Sequence, residues 1–161
     1  MANRSITLVY GGSSVGLMGT LADTVMNEGG NVIGIIPKIL LEREIAHQHL
    51  TELHTVETMH ERKAKMADLA DGFIVLPGGA GTLEEFFEIF TWAQIGLHQK
   101  PIGLLNIKRY YNPLIKLIDH MVTEQFMQEK YRSLALVDSN PSTLIDQFDQ
   151  YEPPSVKTYD K

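Results

Sequence analysis

Nine residues, Pro77-Gly78-Gly79-Ala80-Gly81-Thr82-Leu83-Glu84-Glu85, bring three glycines, a hydroxyl and two carboxylates together. They follow the apolar run Phe73-Ile74-Val75-Leu76, which reads as a buried strand, and precede an amphipathic pattern that starts near Leu83. A strand, a glycine-rich turn and a helix N-terminus in that order make an anion site. Glycines let the backbone approach a phosphate, and the free N–H groups at the positive helix end point at it. Glu85 in the first helical turn has two open roles. With Thr82 it fits a capping box, in which Thr82 caps the helix and Glu85 reaches back to it. Beside a bound phosphate it fits chemistry on a nucleotide or sugar phosphate.

A second candidate is Thr58-Met59-His60-Glu61-Arg62-Lys63-Ala64-Lys65. Thr58 and Glu61 read as another capping box. Arg62, Lys63 and Lys65 crowd the first two turns, where the helix dipole disfavours each cation by ~0.3–1 kcal/mol. An anionic ligand offsets that cost. Arg62 and Lys63 are read as ligand contacts, and Lys65 as a solvated basic residue. The loop Tyr10-Gly11-Gly12-Ser13-Ser14-Val15-Gly16 is a third candidate, for phosphate or ribose, with a tight strand-to-helix turn as the plain alternative. No acidic residue ends the next strand to hold a ribose, and no Gly-Lys-Ser/Thr follows, so neither a dinucleotide fingerprint nor a P-loop is present. His47 and His49 lack a third ligand at metal spacing and read as loop residues near a site mouth or an interface. Phe86, Phe87, Phe90 and Trp92 read as core or oligomer packing, and Asp68 and Asp71 as helix surface and turn.

The elements that must position these residues alternate. Strands are expected at Ile6–Tyr10, Asn31–Ile36 (stopped by Pro37), Leu53–Glu57, Phe73–Leu76, Pro101–Leu105 and Leu134–Val137. Helices are expected from Leu17 to a Gly29-Gly30 C-cap, over Met59–Ala70, from Leu83 to about Gly96, from Pro113 to about Glu124 and from Pro141 to about Gln150. Near-continuous apolar strands alternating with amphipathic helices predict an α/β fold with a parallel sheet covered on both faces. Ligands in such sheets bind beyond the carboxyl ends of the strands, where both glycine loops fall. No repeat or linker interrupts the 161 residues, which read as one domain. The Pro153–Lys157 tail is expected to be loose or packed on a neighbour.

Composition excludes several classes. A net charge of −6 makes a nucleic-acid backbone an unexpected partner. No apolar run is long enough to cross a bilayer, and Met1-Ala2-Asn3-Arg4 leads straight into a strand with no signal-peptide pattern. The absence of cysteine removes disulfides, thiol catalysis and Cys-ligated zinc, and suits a cytoplasmic protein.

Assembled, the segments resemble the Lonely Guy family of cytokinin-activating phosphoribohydrolases. The matching motifs are Pro-Gly-Gly-x-Gly-Thr-x-x-Glu at Pro77–Glu85, the Arg62-Lys63 pair within Met59–Lys63, and Tyr-Gly-Gly-Gly-Ser-x-Gly-Leu-Met-Gly at Tyr10–Gly19, with Ser13 in place of the third glycine. Trp92–His98 and Lys100-Pro101 also fit. The resemblance implies a Rossmann-like three-layer fold. It implies hydrolysis of the N-glycosidic bond of a purine nucleoside 5′-monophosphate, AMP or a cytokinin-type relative, to free base and ribose 5-phosphate. It makes Arg62 and Glu85 catalytic and Gly11, Gly12, Met59, Lys63, Pro77, Gly78, Gly79, Gly81 and Thr82 substrate-binding. It further implies a homodimer, with no metal or redox cofactor. Family members usually begin with a further strand, a Cys-Gly-Ser-Ser loop and a helix, so the expected sheet lacks that first strand and helix. Members are often labelled lysine decarboxylases, but no motif here supports a pyridoxal phosphate Schiff-base lysine. The alternative function is a nucleotide or molybdenum-cofactor carrier, which shares the glycine loops and needs no placed acid.

Overall fold

The computed structural model describes residues 1–41 and 46–156. The chain divides into two compact units, residues 1–70 and 71–161. Among the described residues, strands and helices alternate in both units and the strands pair in parallel, as the apolar runs required, with one isolated antiparallel bridge between Ser13 and Ala46.

In the first unit, β1 (Leu8–Tyr10), α1 (Gly16–Asn27), β2 (Val32–Pro37), α2 (Lys38–Leu41), β3 (Glu52–Val56) and α3 (Met59–Leu69) follow in order. The sheet order is β1-β2-β3, with Tyr10 opposite Gly34 and Gly34 opposite Leu53. The central strand β2 is buried along almost its whole length, while the edge strand β3 keeps most of its residues partly or fully exposed. The small core is Leu8, Tyr10, Ala22, Val25 and Val32. At the end of α1 the Gly30 N–H reaches the Val25 carbonyl at 2.8 Å and the Gly29 N–H the Met26 carbonyl at 2.9 Å. That is a Schellman motif, with Gly29 in the left-handed region at φ 75°. Pro37 closes β2 from within, as its last paired residue opposite Val56, instead of stopping it from outside. The short helix α2 follows, which has no signal in the hydrophobic pattern.

The second unit runs β4 (Phe73–Val75), α4 (Ala80–Gln94), β5 (Ile102–Leu105), α5 (Asn112–Thr123), β6 (Ala135–Asp138) and α6 (Pro141–Phe148). Its sheet order is β4-β5-β6, and all four residues of the central β5 are buried. Phe86, Phe90, Ile102, Leu104, Tyr111, Ile118 and Leu134 form its core. Phe87 packs against that core and Trp92 is half-buried, so the aromatic residues of α4 serve mainly as packing. Pro113 lies in the first turn of α5, and the Asn140 side chain caps α6 by accepting from the Ser142 and Thr143 N–H groups. Up to Val156 the tail touches its own unit, although most of it stays exposed. Lys130 Nζ donates to Ser155 Oγ at 3.0 Å, and the Val156 methyls would lie 2.9 Å from a Cβ at Gly96. Lys157 lies outside the described residues.

The loop from α4 to β5 is held by a neutral histidine. His98 Nε2 donates to the Ile89 carbonyl at 2.8 Å, and Nδ1 accepts from the Lys100 N–H at 3.2 Å. Its ring packs on Phe73, with centroids 5.3 Å apart. Burial pushes the imidazole below its usual pKa, the Lys100 charge adds to this, and the Ile89 carbonyl acts against it. The unfolded chain therefore binds more protons than the folded one below the ordinary histidine value of about 6.5, and stability falls as pH drops through that window. His98→Gln should cost stability at pH 7, and its deficit should shrink toward pH 5. Urea midpoints of both chains across that range measure it, and a deficit constant with pH would refute it.

Candidate active site

In the first unit, candidate residues from β1 and α3 meet at the carboxyl end of β1. Tyr10 ends the strand, and Gly11 and Gly12 follow as buried loop residues, Gly12 at φ 78°. Arg62, from the first turn of α3, is only 6% exposed. Its Nη2 donates to the Gly11 carbonyl at 3.1 Å and its Nη1 approaches the Met59 Sδ at 3.8 Å, while the buried Nε has no hydrogen-bond partner. A buried guanidinium with an open donor is expensive unless an anion complements it. The Tyr10 hydroxyl is also buried without a partner, and burial, aided by the charge of Asp23, pushes its pKa to about 12. It therefore stays a donor at any physiological pH. The sequence signal was right for Thr58, whose hydroxyl accepts from the Glu61 N–H at 3.1 Å. The Glu61 carboxylate takes the Glu57 N–H at 2.8 Å. Met59 is 39% exposed and Lys63 half-buried. Lys65 is not simply solvated, since its Nζ meets His54 Nδ1 at 3.1 Å.

The second glycine loop leaves β4 in the other unit. Pro77 and Gly78 are half-buried and Gly79 is exposed. Here the structure corrects the sequence reading. The N-cap of α4 is Gly79, so the helix begins at Ala80, three residues before Leu83, and Thr82 lies inside its first turn. The capping box of Thr82 and Glu85 is therefore absent. The reason is steric: a Cβ at Gly78 would lie 2.2 Å from Thr82 Oγ1, so the glycine allows the threonine to fold back over the loop. With a glycine as N-cap, no N-cap side chain takes the first helical N–H groups. Glu85 follows Gly81 by four residues and Thr82 by three, which places it on their side of the helix, one turn further in. It is half-buried.

Sequence reasoning missed two sets of supports. His47 is an inward-facing residue, 7% exposed. Its N–H donates to the Gly12 carbonyl at 3.0 Å, its Nε2 meets Asp23 Oδ1 of α1 at 2.9 Å, and its Nδ1 accepts from the His49 N–H at 3.3 Å. It ties the first glycine loop to α1. Ser13, fully buried, accepts from the Val15 N–H at 3.3 Å. Tyr110 and Tyr111, in the turn after β5, donate to the carbonyls of Gly78 and Leu76. Their signal was only two aromatic residues in a turn beyond a strand's carboxyl end. Among the described residues, no group of three or more His, Asp or Glu is placed to hold a metal ion, and no helix is long and apolar enough to cross a membrane.

Comparison with known proteins supplies the context. A family model described as "Possible lysine decarboxylase" matches residues 18–148. The chain is 49% identical over 158 residues to a probable cytokinin riboside 5′-monophosphate phosphoribohydrolase of Oryza sativa subsp. japonica, covering 98% of this chain and 65% of that protein. It is 46% identical over 161 residues to a cytokinin riboside 5′-monophosphate phosphoribohydrolase of Arabidopsis thaliana, covering 100% of this chain and 76% of the relative. It is 52% identical over 138 residues to one of Rhodococcoides fascians, covering 85% and 70%. The chain thus spans about two thirds to three quarters of the length of these relatives.

Gly11 of the first loop and Gly19 of α1 respond differently to a methyl group. At Gly11 a Cβ would lie 1.8 Å from Arg62 Nη2, the mobile end of a side chain. At Gly19 it would lie 1.9 Å from the Ser14 carbonyl oxygen, which is backbone. Gly11→Ala should displace the guanidinium yet fold, at a cost of about 1–2 kcal/mol, whereas Gly19→Ala should cost about 3 kcal/mol or more. Urea denaturation compares them, and a larger loss in Gly11→Ala would overturn the assignment.

Proposed function

Because the chain belongs to the Lonely Guy family, we propose that it hydrolyses the N-glycosidic bond of a purine nucleoside 5′-monophosphate, giving the free base and ribose 5-phosphate. The observation that carries this reading is the start of α4. It leaves a glycine-lined helix end without a side-chain N-cap, where the N–H groups and the helix dipole favour a phosphate, and it sets the Glu85 carboxylate one turn further on. The relatives' names point to the same reaction and do not favour a carrier without turnover.

In this reading Gly78, Gly79, Gly81 and Thr82 bind the 5′-phosphate, with Gly11, Gly12, Met59, Lys63 and Pro77 as further substrate contacts. Breaking the glycosidic bond builds positive charge on the ribose. The Glu85 carboxylate stabilises that charge and activates the attacking water. Arg62 stays protonated, so it is no simple proton donor. It holds an anionic or electron-rich part of the substrate with the Nε donor that its fold leaves open. The water adds to the ribosyl carbon, and the base leaves with its electron pair and takes up a proton.

Glu85→Gln should cut kcat by a factor on the order of 10² or more while nucleotide binding survives, because the charge facing the ribosyl cation is lost and the phosphate contacts remain. Glu84→Gln, about 100° around the helix and exposed, should be milder. Release of base from AMP measures both, and equal turnover of wild type and Glu85→Gln would remove Glu85 from the mechanism. Adenosine should react on the order of 10²-fold more slowly than AMP, since the glycine-loop donors address the phosphate. Equal rates on the two substrates would sink the phosphate assignment.

The active form is proposed to be a cytoplasmic homodimer. Beyond the last turn of α4, Ile95 and Leu97 are 46% and 68% exposed, continuing an aromatic-rich helix with apolar surface of the kind that self-association covers. Light scattering at micromolar concentration should give twice the chain mass, and a monomer there would refute the dimer.

A further inference from the structure

The turn that carries Tyr110 and Tyr111 is built against conformational preference. Directly after β5, Asn106 fixes both of its ends. Its N–H donates to the Asp138 carbonyl at 2.7 Å, its Oδ1 accepts from the Tyr111 N–H at 2.7 Å, and its Nδ2 donates to Asn112 Oδ1 at 2.9 Å. Between these anchors Lys108 and Arg109 both take left-handed backbone, φ 50° and 62°. Two successive non-glycine residues in that region are rare and persist only where their surroundings over-determine them. The result is a pair of tyrosines at the second glycine loop. Tyr110 Oη donates to the Gly78 carbonyl at 2.6 Å, and Tyr111 Oη donates to the Leu76 carbonyl. The two rings meet edge to face, with centroids 5.1 Å apart at 81°. Tyr111 is buried and Tyr110 is 52% exposed.

The Gly78 carbonyl belongs to the peptide unit that carries the Gly79 N–H. In a trans peptide the two point in opposite directions. Holding the oxygen on Tyr110 therefore aims the Gly79 N–H away from the tyrosine. This peptide lies between two glycines, so the rotation that would exchange its N–H for its carbonyl oxygen meets little steric resistance from its own residues. A flipped peptide would present an oxygen to the anion. The Leu76–Pro77 peptide, whose carbonyl Tyr111 holds, has no N–H to present, because Pro77 lacks one.

We propose that Tyr110 is a positioning residue that locks the Gly78–Gly79 peptide in its anion-binding orientation and so sets the affinity for the substrate's 5′-phosphate, with Tyr111 anchoring the base of the loop. This rests on the reading of that loop as the phosphate site. Tyr110→Phe keeps the ring and removes only the donor. In the full chain it should raise the KM for AMP and the Kd for ribose 5-phosphate about three- to tenfold, the worth of one neutral hydrogen bond. The kcat should stay within about twofold and Tm should hardly move, since Tyr110 is half exposed. The Gly79 amide resonance should broaden or exchange faster without any ligand. A purely structural role would lower Tm and leave KM and Kd unchanged, and that outcome overturns the proposal, as does an unaltered Gly79 amide. Wild type that binds neither ribose 5-phosphate nor inorganic phosphate in calorimetry would overturn the phosphate reading itself and this inference with it. Binding by wild type, matched by Tyr110→Phe, would overturn the lock alone.

Discussion

A buried or helix-terminal hydrogen-bond donor needs an acceptor, and where the chain supplies none, water or a ligand must. This constraint organises both units. Helices α3 and α6 satisfy theirs with the side chains of Thr58 and Asn140. The two helices that follow glycine loops, α1 and α4, start from Val15 and Gly79 with no side-chain cap, as does α5 from Tyr111, where Pro113 removes one of the first N–H groups. Arg62 is buried with its Nε open, and Tyr10 keeps an unpartnered hydroxyl at the end of β1. Donors are thus left unmet at the carboxyl ends of β1 and β4, where parallel sheets bind ligands. A negatively charged molecule is the natural complement, even for a protein with a net charge of −6, because the local donors outweigh the distant surface charge.

The glycines in these loops are set by what lies next to them more than by the turns they make. Gly11 leaves room for the Arg62 guanidinium, Gly19 for the Ser14 carbonyl and Gly78 for the Thr82 side chain. The conformational freedom that comes with glycine has a cost, since a loop free to reach the right geometry is also free to leave it. The carbonyl contacts restrict that freedom. His47 bonds the Gly12 carbonyl from outside the first loop, and Tyr110 and Tyr111 bond the Gly78 and Leu76 carbonyls of the second. In both, carbonyl oxygens of the loop turn toward protein donors.

Much of this was legible in the chain. Hydrophobic period, glycine pairs and prolines act over a few residues, so they marked every β-strand, the Schellman end of α1 and the Pro113 start of α5 within a residue or two. The Thr58 cap was readable because donor and acceptor lie three residues apart. The motifs at Tyr10–Gly19, Met59–Lys63 and Pro77–Glu85 gave the family and the anion chemistry. Tertiary structure decided what depends on proximity across the fold. It buried Arg62 against Gly11, 51 residues away, and set Tyr110 on Gly78, 32 residues away. Such contacts leave no periodic trace in the sequence. They exist only once parallel strands bring the loops at their carboxyl ends side by side within each unit, where hydrogen bonds a few ångströms long choose which backbone groups are spoken for and which remain open to a ligand.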